Sequence, residues 1–381
     1  MKKIFQYLSI LFLTTFSQIV LSQNQPSSGL RISLITCTPG EELYSIFGHT
    51  AIRLVDSTSL TDYTFNYGTF DFNDKDFYFK FMQGKLNYFL SVENTSDFIA
   101  FYQYCNRGIT EQVLQANDSE KIKLKQFLFE NLKEEHRYYQ YDFFYDNCTT
   151  RPRDILINNL QPQPVLPNAM RLNTTFRNAI HQYLDKGQQP WSKLGIDILL
   201  GARTDKTMTT AEQQFLPDNL MTAVDSSKPN LVQQKNILYS AIKSETIPSI
   251  FTPNIIFWTI GILVIVLSFL PFIKGSKIMG FFDVILFSIL GLLGIILVLM
   301  WVATDHIMTK DNFNLMWAHP FELLIPFSTY LSNKKQKNVL LFLLAINTLC
   351  VLSWFLIPQQ LNIALFPIAL LTAARLIKRI L

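Results

Sequence analysis

Beyond residue 254 the chain is built from apolar runs long enough to cross a bilayer, and this fixes its gross architecture before anything else is read. Ile255–Ile273 holds no charged residue, and in Ile278–Ala303 only Asp283 is charged. At 1.5 Å of rise per helical residue, each run spans a hydrocarbon layer about 30 Å thick. Val339–Ile357 and Leu361–Ile377 are two further candidates. Leu315–Leu331 is apolar enough to cross but carries His319, Pro320, Glu322 and Pro326. The hydrophobic content of 49% is thus an average over two unlike parts, because most of the charge falls in residues 23–250.

Charge decides how the runs are counted. Lys274 and Lys277 follow the first, Lys334, Lys335 and Lys337 precede Val339, and Arg375, Lys378 and Arg379 close the chain. With all three clusters cytoplasmic, a chain entering from outside near Phe251 needs five crossings, and Leu315–Leu331 is the third. Ionisable groups at membrane depth are costly and tend to face a cavity or serve a function. On that ground His319 and Glu322 are candidates for a place near the outer surface, beside a lipid headgroup or the external domain. The alternative is an interfacial loop or re-entrant turn without a specific role. At the other end, Lys2, Lys3, an apolar stretch to Val20 and the small-residue site Val20-Leu21-Ser22 read as a secretory signal, residues 1–22. A retained anchor helix is the alternative. Either reading puts residues 23–250 outside the cytoplasm and leaves 251–381 as the membrane domain.

The external part reads as α+β. Leu30–Cys37, His49–Val55 and Tyr63–Phe72 have strand character, with Asn87–Val92 and Gln112–Leu114 as further strands. Helical spacing is expected over Asp74–Met82, Ser96–Asn106 and, most clearly, Ser119–Arg137, with Ser119 as its cap. Glu41–Phe47 is expected to make one or two helical turns. Thr149–Leu160 is expected to be a helix, since Pro152 falls within its first turn. Residues 161–253 are polar with Gln-Pro pairs and read as an extension and linker wrapped on the core.

Net charge is only +4, and no Lys/Arg-rich run interleaves with aromatics, which argues against nucleic acid as a partner. No phosphate loop or cluster of metal ligands stands out, so no cofactor or metal is implied. The 32 phenylalanines suit a protein that handles lipid, and equally a large core. Cys148 is different. It opens the helix after Asp146-Asn147, where free N–H groups and the positive end of the dipole favour a thiolate and can hold an oxyanion. Arg151 and Arg153 add positive potential. His49 follows Gly48 at the start of a strand, a rigid mount for a general base. Of the other histidines in this part, His136 lies on a charged helix end and His181 in the polar extension. Cys37 is a rival nucleophile, but it precedes a Pro-Gly turn rather than opening a helix. Cys350 sits in an apolar run, and Cys37 and Cys105 can pair, although nothing in the spacing requires that bridge.

The run Leu34–Thr50, with Thr38-Pro39-Gly40-Glu41 and Phe47-Gly48-His49-Thr50, is followed by Phe65-Asn66-Tyr67-Gly68-Thr69 and then Tyr141-Asp142-Phe143-Phe144-Tyr145-Asp146-Asn147-Cys148-Thr149-Thr150-Arg151. Together these resemble the Bacteroides-type lipoprotein N-acyltransferase family, in which an Lnb-like periplasmic thiol domain is joined to C-terminal membrane helices. The resemblance implies a circularly permuted papain-like (NlpC-type) domain, with histidine before cysteine, followed by about five spans. It implies an inner-membrane protein with its active site in the periplasm. The implied reaction moves an acyl chain from a membrane phospholipid, through a thioester on Cys148, to the α-amine of a diacylated lipoprotein, with His49 as the base. For the residue that orients His49, Asn66 is the best candidate and Asp71 the runner-up. Glu42, Tyr145, Asn147, Arg151 and His319 are candidate substrate-binding residues. Two other classes stay open: a membrane-anchored thiol peptidase or amidase of the cell envelope, and a non-catalytic receptor or assembly factor.

Overall fold

The computed structural model describes residues 28–242, 249–270, 277–328 and 332–381, so the expected signal sequence and Lys274 lie outside the described residues. Seven strands form one antiparallel sheet: β1 (Leu30–Cys37), β2 (His49–Asp56), β3 (Thr61–Thr69), β4 (Asn87–Asn94), β5 (Ile109–Leu114), β6 (Tyr138–Gln140) and β7 (Val232–Tyr239). Their order is β6-β4-β3-β2-β1-β5-β7. The helices around it are α1 (Phe77–Gln83), α2 (Thr95–Tyr104), α3 (Asp118–Asn131), α4 (Thr150–Asn159), α5 (Phe176–Lys186), α6 (Pro190–Leu199) and α7 (Pro217–Asp225).

The period of two in the strands sorts their side chains to opposite faces. Ile32, Leu34, Ile52, Leu54, Phe65 and Tyr67 pack with Leu124 and Leu128 of α3, Ile155 and Leu156 of α4, and Leu220 of α7. Ile35, Cys37 and Ala51 point the other way, against Phe98 and Tyr102 of α2. The sheet is therefore covered on both sides, and β2 and β3, which carry His49 and Asn66, lie near its middle.

Several expectations shift. Glu41–Phe47 forms turns rather than a helix. Helix α3 is capped by Asn117, not Ser119: the Asn117 side chain accepts from the Glu120 N–H at 2.9 Å, and Glu120 accepts from the Asn117 N–H at 2.8 Å. It also ends at Asn131, where the chain turns to feed β6. Residues 243–248 of the expected extension and linker lie outside the described residues, but residues 161–242 are not a linker. They supply α5, α6 and α7, a second core in which Phe176, Ile180, Leu184 and Phe215 pack with Ile46 and Phe144, and the edge strand β7, which pairs with β5. This segment is held by polar groups that composition alone made look loose. Arg177 is fully buried, with Asp197 at 2.8 Å and Asp205 at 2.9 Å.

The C-terminal part is helical: α8 (Pro253–Phe269), α9 (Lys277–Val302), α10 (Leu324–Phe327), α11 (Asn333–Ser353) and α12 (Phe366–Ile380). Of these, α9 and α11 are long and apolar enough to cross a membrane, and α8 is a shorter apolar helix. The expected third crossing is not a continuous helix. Residues 307–328 break into short 3-10 turns and the four-residue α10. The cause lies in the prolines: His319 before Pro320 is held extended, at φ −112° and ψ 152°, and Pro326 removes a further donor. Irregular backbone is tolerated where it is buried in protein, and Met308, Trp317, Ala318, Glu322 and Ile325 of this segment are buried. Gly294 of α9 makes room for it, as a Cβ there would come within 2.6 Å of the His319 carbonyl carbon. Asp283 is also accounted for. It accepts from Arg375 at 2.6 and 3.0 Å, and Arg375 donates to Ser268 at 2.7 Å, which ties α9, α12 and α8 together.

The two parts are locked to each other. Asn314 and Asn362 donate to the backbone and side chain of Asp197, Gln359 donates to the Leu200 carbonyl, and the Gly201 N–H donates to the Met308 carbonyl.

Candidate active site

Cys148 lies one residue before the N-cap of α4, just after a turn closed at both ends by Asp142 and Asp146. Asn147 ties that turn to the helix start. Its side-chain oxygen accepts from the N–H groups of Thr149 at 2.7 Å and Thr150 at 2.8 Å, and its amide donates to the carbonyls of Phe143 and Phe215. The free N–H groups expected at this helix start are therefore taken by Asn147. The Cys148 N–H has no acceptor among the described hydrogen bonds.

His49 is the first residue of β2, and Asn66 lies on the neighbouring β3. His49 Nε2 and Asn66 Oδ1 are 3.1 Å apart, and the Asn66 amide donates to Glu93 on β4 at 2.8 Å. Glu93 thereby fixes which end of Asn66 meets the ring. The oxygen faces Nε2, so Nε2 carries the proton and Nδ1 is left for the sulfur. The imidazole and the thiol act on each other electrostatically. Burial opposes both charges, but thiolate and imidazolium stabilise each other: the Cys148 thiol is held below its ordinary range and His49 above its own. The Thr50 N–H and the Thr149 hydroxyl, 3.9 Å from the sulfur, add to the effect on Cys148. Gly68, at φ +87°, brings β3 close to Cys148, since a Cβ there would lie 3.3 Å from that of Cys148.

Cys37 pairs with His49 across the β1–β2 ladder but is fully buried, and burial pushes its thiol up to about 12. All four cysteines are free, so Cys37 and Cys105 form no bridge.

A cavity of about 880 Å³, toward the large end of ligand sites, opens onto Cys148 and His49. Its wall includes Phe47, Tyr67, Tyr88, Tyr141 and Phe143, and the membrane domain contributes His306–Thr309. Glu42 and Asn147 line it. Arg151 and Tyr145 do not: Arg151 is committed to Asp146 at 2.6 and 2.8 Å and stacks over Tyr139, while Tyr145 packs on Phe176. Asp71 is exposed and holds Asn73. His181 pairs with Asp197, and His136 lies beside Glu130 on the surface. His319 is buried in the membrane domain beside Glu322, which accepts from Asn347 at 3.0 Å. The sequence reading missed Glu93, Gly68 and Arg107. Only the left-handed demand on Gly68 left a trace there, in the Tyr67-Gly68-Thr69 interruption of a strand.

Fold and site together define a membrane protein whose external α/β domain carries a cysteine–histidine–asparagine constellation. The chain belongs to the Lnb family. Residues 16–182 match the Lnb N-terminal periplasmic domain and residues 244–381 the Lnb transmembrane domain, which between them cover most of the chain. The sheet-bearing domain is thus periplasmic. No curated protein and no solved structure matches.

Proposed function

We propose that the protein is a lipoprotein N-acyltransferase that uses Cys148 as its nucleophile, His49 as its acid and base, and Asn66 to orient the ring. The carrying observation is the Cys148–His49–Asn66 constellation, with Cys148 and His49 lining a cavity rich in aromatic residues whose wall is shared with the membrane domain. The order of histidine before cysteine, with the asparagine on the next strand, fits a permuted papain-like domain.

In the first half-reaction the thiolate attacks an ester carbonyl of a phospholipid. The negative charge passes to the carbonyl oxygen, for which the Cys148 N–H is a free donor. Collapse expels the lysophospholipid alkoxide, and imidazolium gives it a proton. His49 is then neutral and takes a proton from the α-amine of the diacylglyceryl-cysteine as that amine attacks the thioester. The thiolate leaves and the ion pair is restored. Asn147 shapes the helix start that holds the sulfur, and Glu42 lies on the cavity wall. Arg151, Tyr145 and His319 have no place in this reading, because none of them lines the cavity.

A lipid donor fits the surroundings of the site. Helix α1 exposes Tyr78, Phe79, Phe81 and Met82, and its end is tied to the segment leaving α9, with the Asp305 N–H donating to the Gln83 carbonyl and His306 at 3.1 Å from the Phe81 carbonyl. That puts an aromatic surface level with the outer end of a membrane helix, where aromatic belts gather. Cys148→Ala is expected to abolish conversion of diacyl to triacyl lipoprotein in cells that depend on this gene. Mass spectrometry of lipoprotein N-termini reads the outcome, and an unchanged triacyl signal would defeat the proposal.

A further inference from the structure

The cavity holds one cationic side chain whose charge nothing nearby matches. Arg107 follows α2 and precedes β5, and it is 92% buried, at 8% exposure. Its Nε donates to the Thr38 carbonyl at 2.9 Å, its guanidinium lies 4.6 Å from the centre of the Tyr102 ring, and its Cδ rests against Gly40. One terminal nitrogen, Nη2, is buried without a hydrogen-bond partner, and no carboxylate among the described residues lies within ion-pair distance of the group. Among the residues lining the cavity, Arg107 is the only lysine or arginine. The wall's acids, Glu41, Glu42 and Asp142, leave it unpaired, and Asp142 is already occupied by the N–H groups of Phe144 and Tyr145.

A buried guanidinium with free donors is costly unless an anion completes it. Arginine's planar fork matches phosphate oxygens. Its position also suits a phospholipid, in which the phosphate and the ester carbonyls are separated by only the glycerol backbone. Arg107 and Cys148 line the same cavity, and the charge of Arg107 reaches His49, where it opposes protonation.

We propose that Arg107 binds the phosphodiester of the acyl donor and so selects phospholipids over uncharged glycerol esters. This rests on the acyltransferase reading and adds a headgroup site to it. The test uses the full-length protein in detergent micelles, offered either phosphatidylethanolamine or a diacylglycerol with the same acyl chains. Thioester on Cys148 is measured by its release with neutral hydroxylamine.

The intact protein is expected to prefer the phospholipid, and Arg107→Gln to lower the phospholipid-to-diacylglycerol ratio of kcat/KM about ten-fold, mainly through KM. Arg107→Lys, which keeps the charge but not the fork, should recover part of it. A ratio unchanged in Arg107→Gln, whether both donors slow alike or neither does, would overturn the proposal in favour of a structural role. Calorimetric titration separates the two possible sources of the anion. Glycerophosphoethanolamine should bind the intact protein and not Arg107→Gln. Binding of inorganic phosphate alone, with no donor preference, would mean that a free anion occupies the site and would also overturn it. If no ester donor acylates Cys148, the acyltransferase reading falls, while the glycerophosphoethanolamine titration still decides whether Arg107 holds a phosphodiester.

Discussion

At the scale of single residues, the site is governed by one pair of opposite charges in a half-buried place. Burial works against the Cys148 thiolate, and the His49 imidazolium more than offsets it. Removing the ring takes away the largest effect that opposes burial and leaves only the Thr50 N–H and the Thr149 hydroxyl, so His49→Ala should move the Cys148 pKa upward. The sign can be read by alkylation. In the intact protein iodoacetamide should modify Cys148 below the ordinary thiol range, because the thiolate persists there. In His49→Ala the rate at neutral pH should drop and recover only toward alkaline pH. A pH profile that did not move would mean that His49 does not hold the thiolate. Asn66 acts one step further out and Glu93 one step beyond that, through the hydrogen bonds that set the ring and its tautomer.

At the scale of elements, the turn before α4 does more than present a sulfur. Asn147 replaces the usual cap with a four-way clasp that joins the helix start, its own turn and the segment around Phe215. Asn147→Ala should cost about 0.5–2 kcal/mol for the lost cap, and more for the two buried carbonyls left without donors. Chemical denaturation should therefore show a lowered midpoint, and alkylation of Cys148 should slow because the sulfur is no longer pinned against His49. Helix α3 follows the same logic more simply, with a reciprocal Asn117–Glu120 cap and Leu124 and Leu128 turned into the core.

At the scale of the molecule, buried ion pairs take over a task that apolar packing cannot perform in lipid, where sliding one greasy helix past another exposes nothing to water. Asp283 and Arg375, at 2% and 5% side-chain exposure, fix the register of α9 and α12. Asp283→Ala leaves Arg375 buried and uncompensated, and should destabilise the membrane domain by about 3–5 kcal/mol. The thermal midpoint in detergent should fall accordingly. The double substitution Asp283→Leu with Arg375→Met should regain much of the loss, and a double variant as weak as the single one would argue against the pairing. At the junction, Arg177, His181, Asn314 and Asn362 all converge on Asp197, which holds the periplasmic domain in one attitude over the membrane helices.

Much of this was legible in local pattern. Alternation marked β1, β2 and β3, the apolar runs marked α8, α9 and α11, and the residue types before and after a strand and a helix singled out His49 and Cys148. Such signals live within one or two turns of chain. The short edge strand β6, the pairing of β7 with β5, and the folding of residues 161–242 depend on partners distant in sequence, so composition could not show them. The third apolar run failed as a helix because two prolines and a close approach to Gly294 outweighed its hydrophobicity. Glu93 behind Asn66, the clasp of Asn147 and the unmatched charge of Arg107 follow the same rule. Sequence determined which groups are present and which segments seek lipid or a sheet. Only the tertiary structure decided which polar groups meet, because that depends on distances set by chain segments far apart.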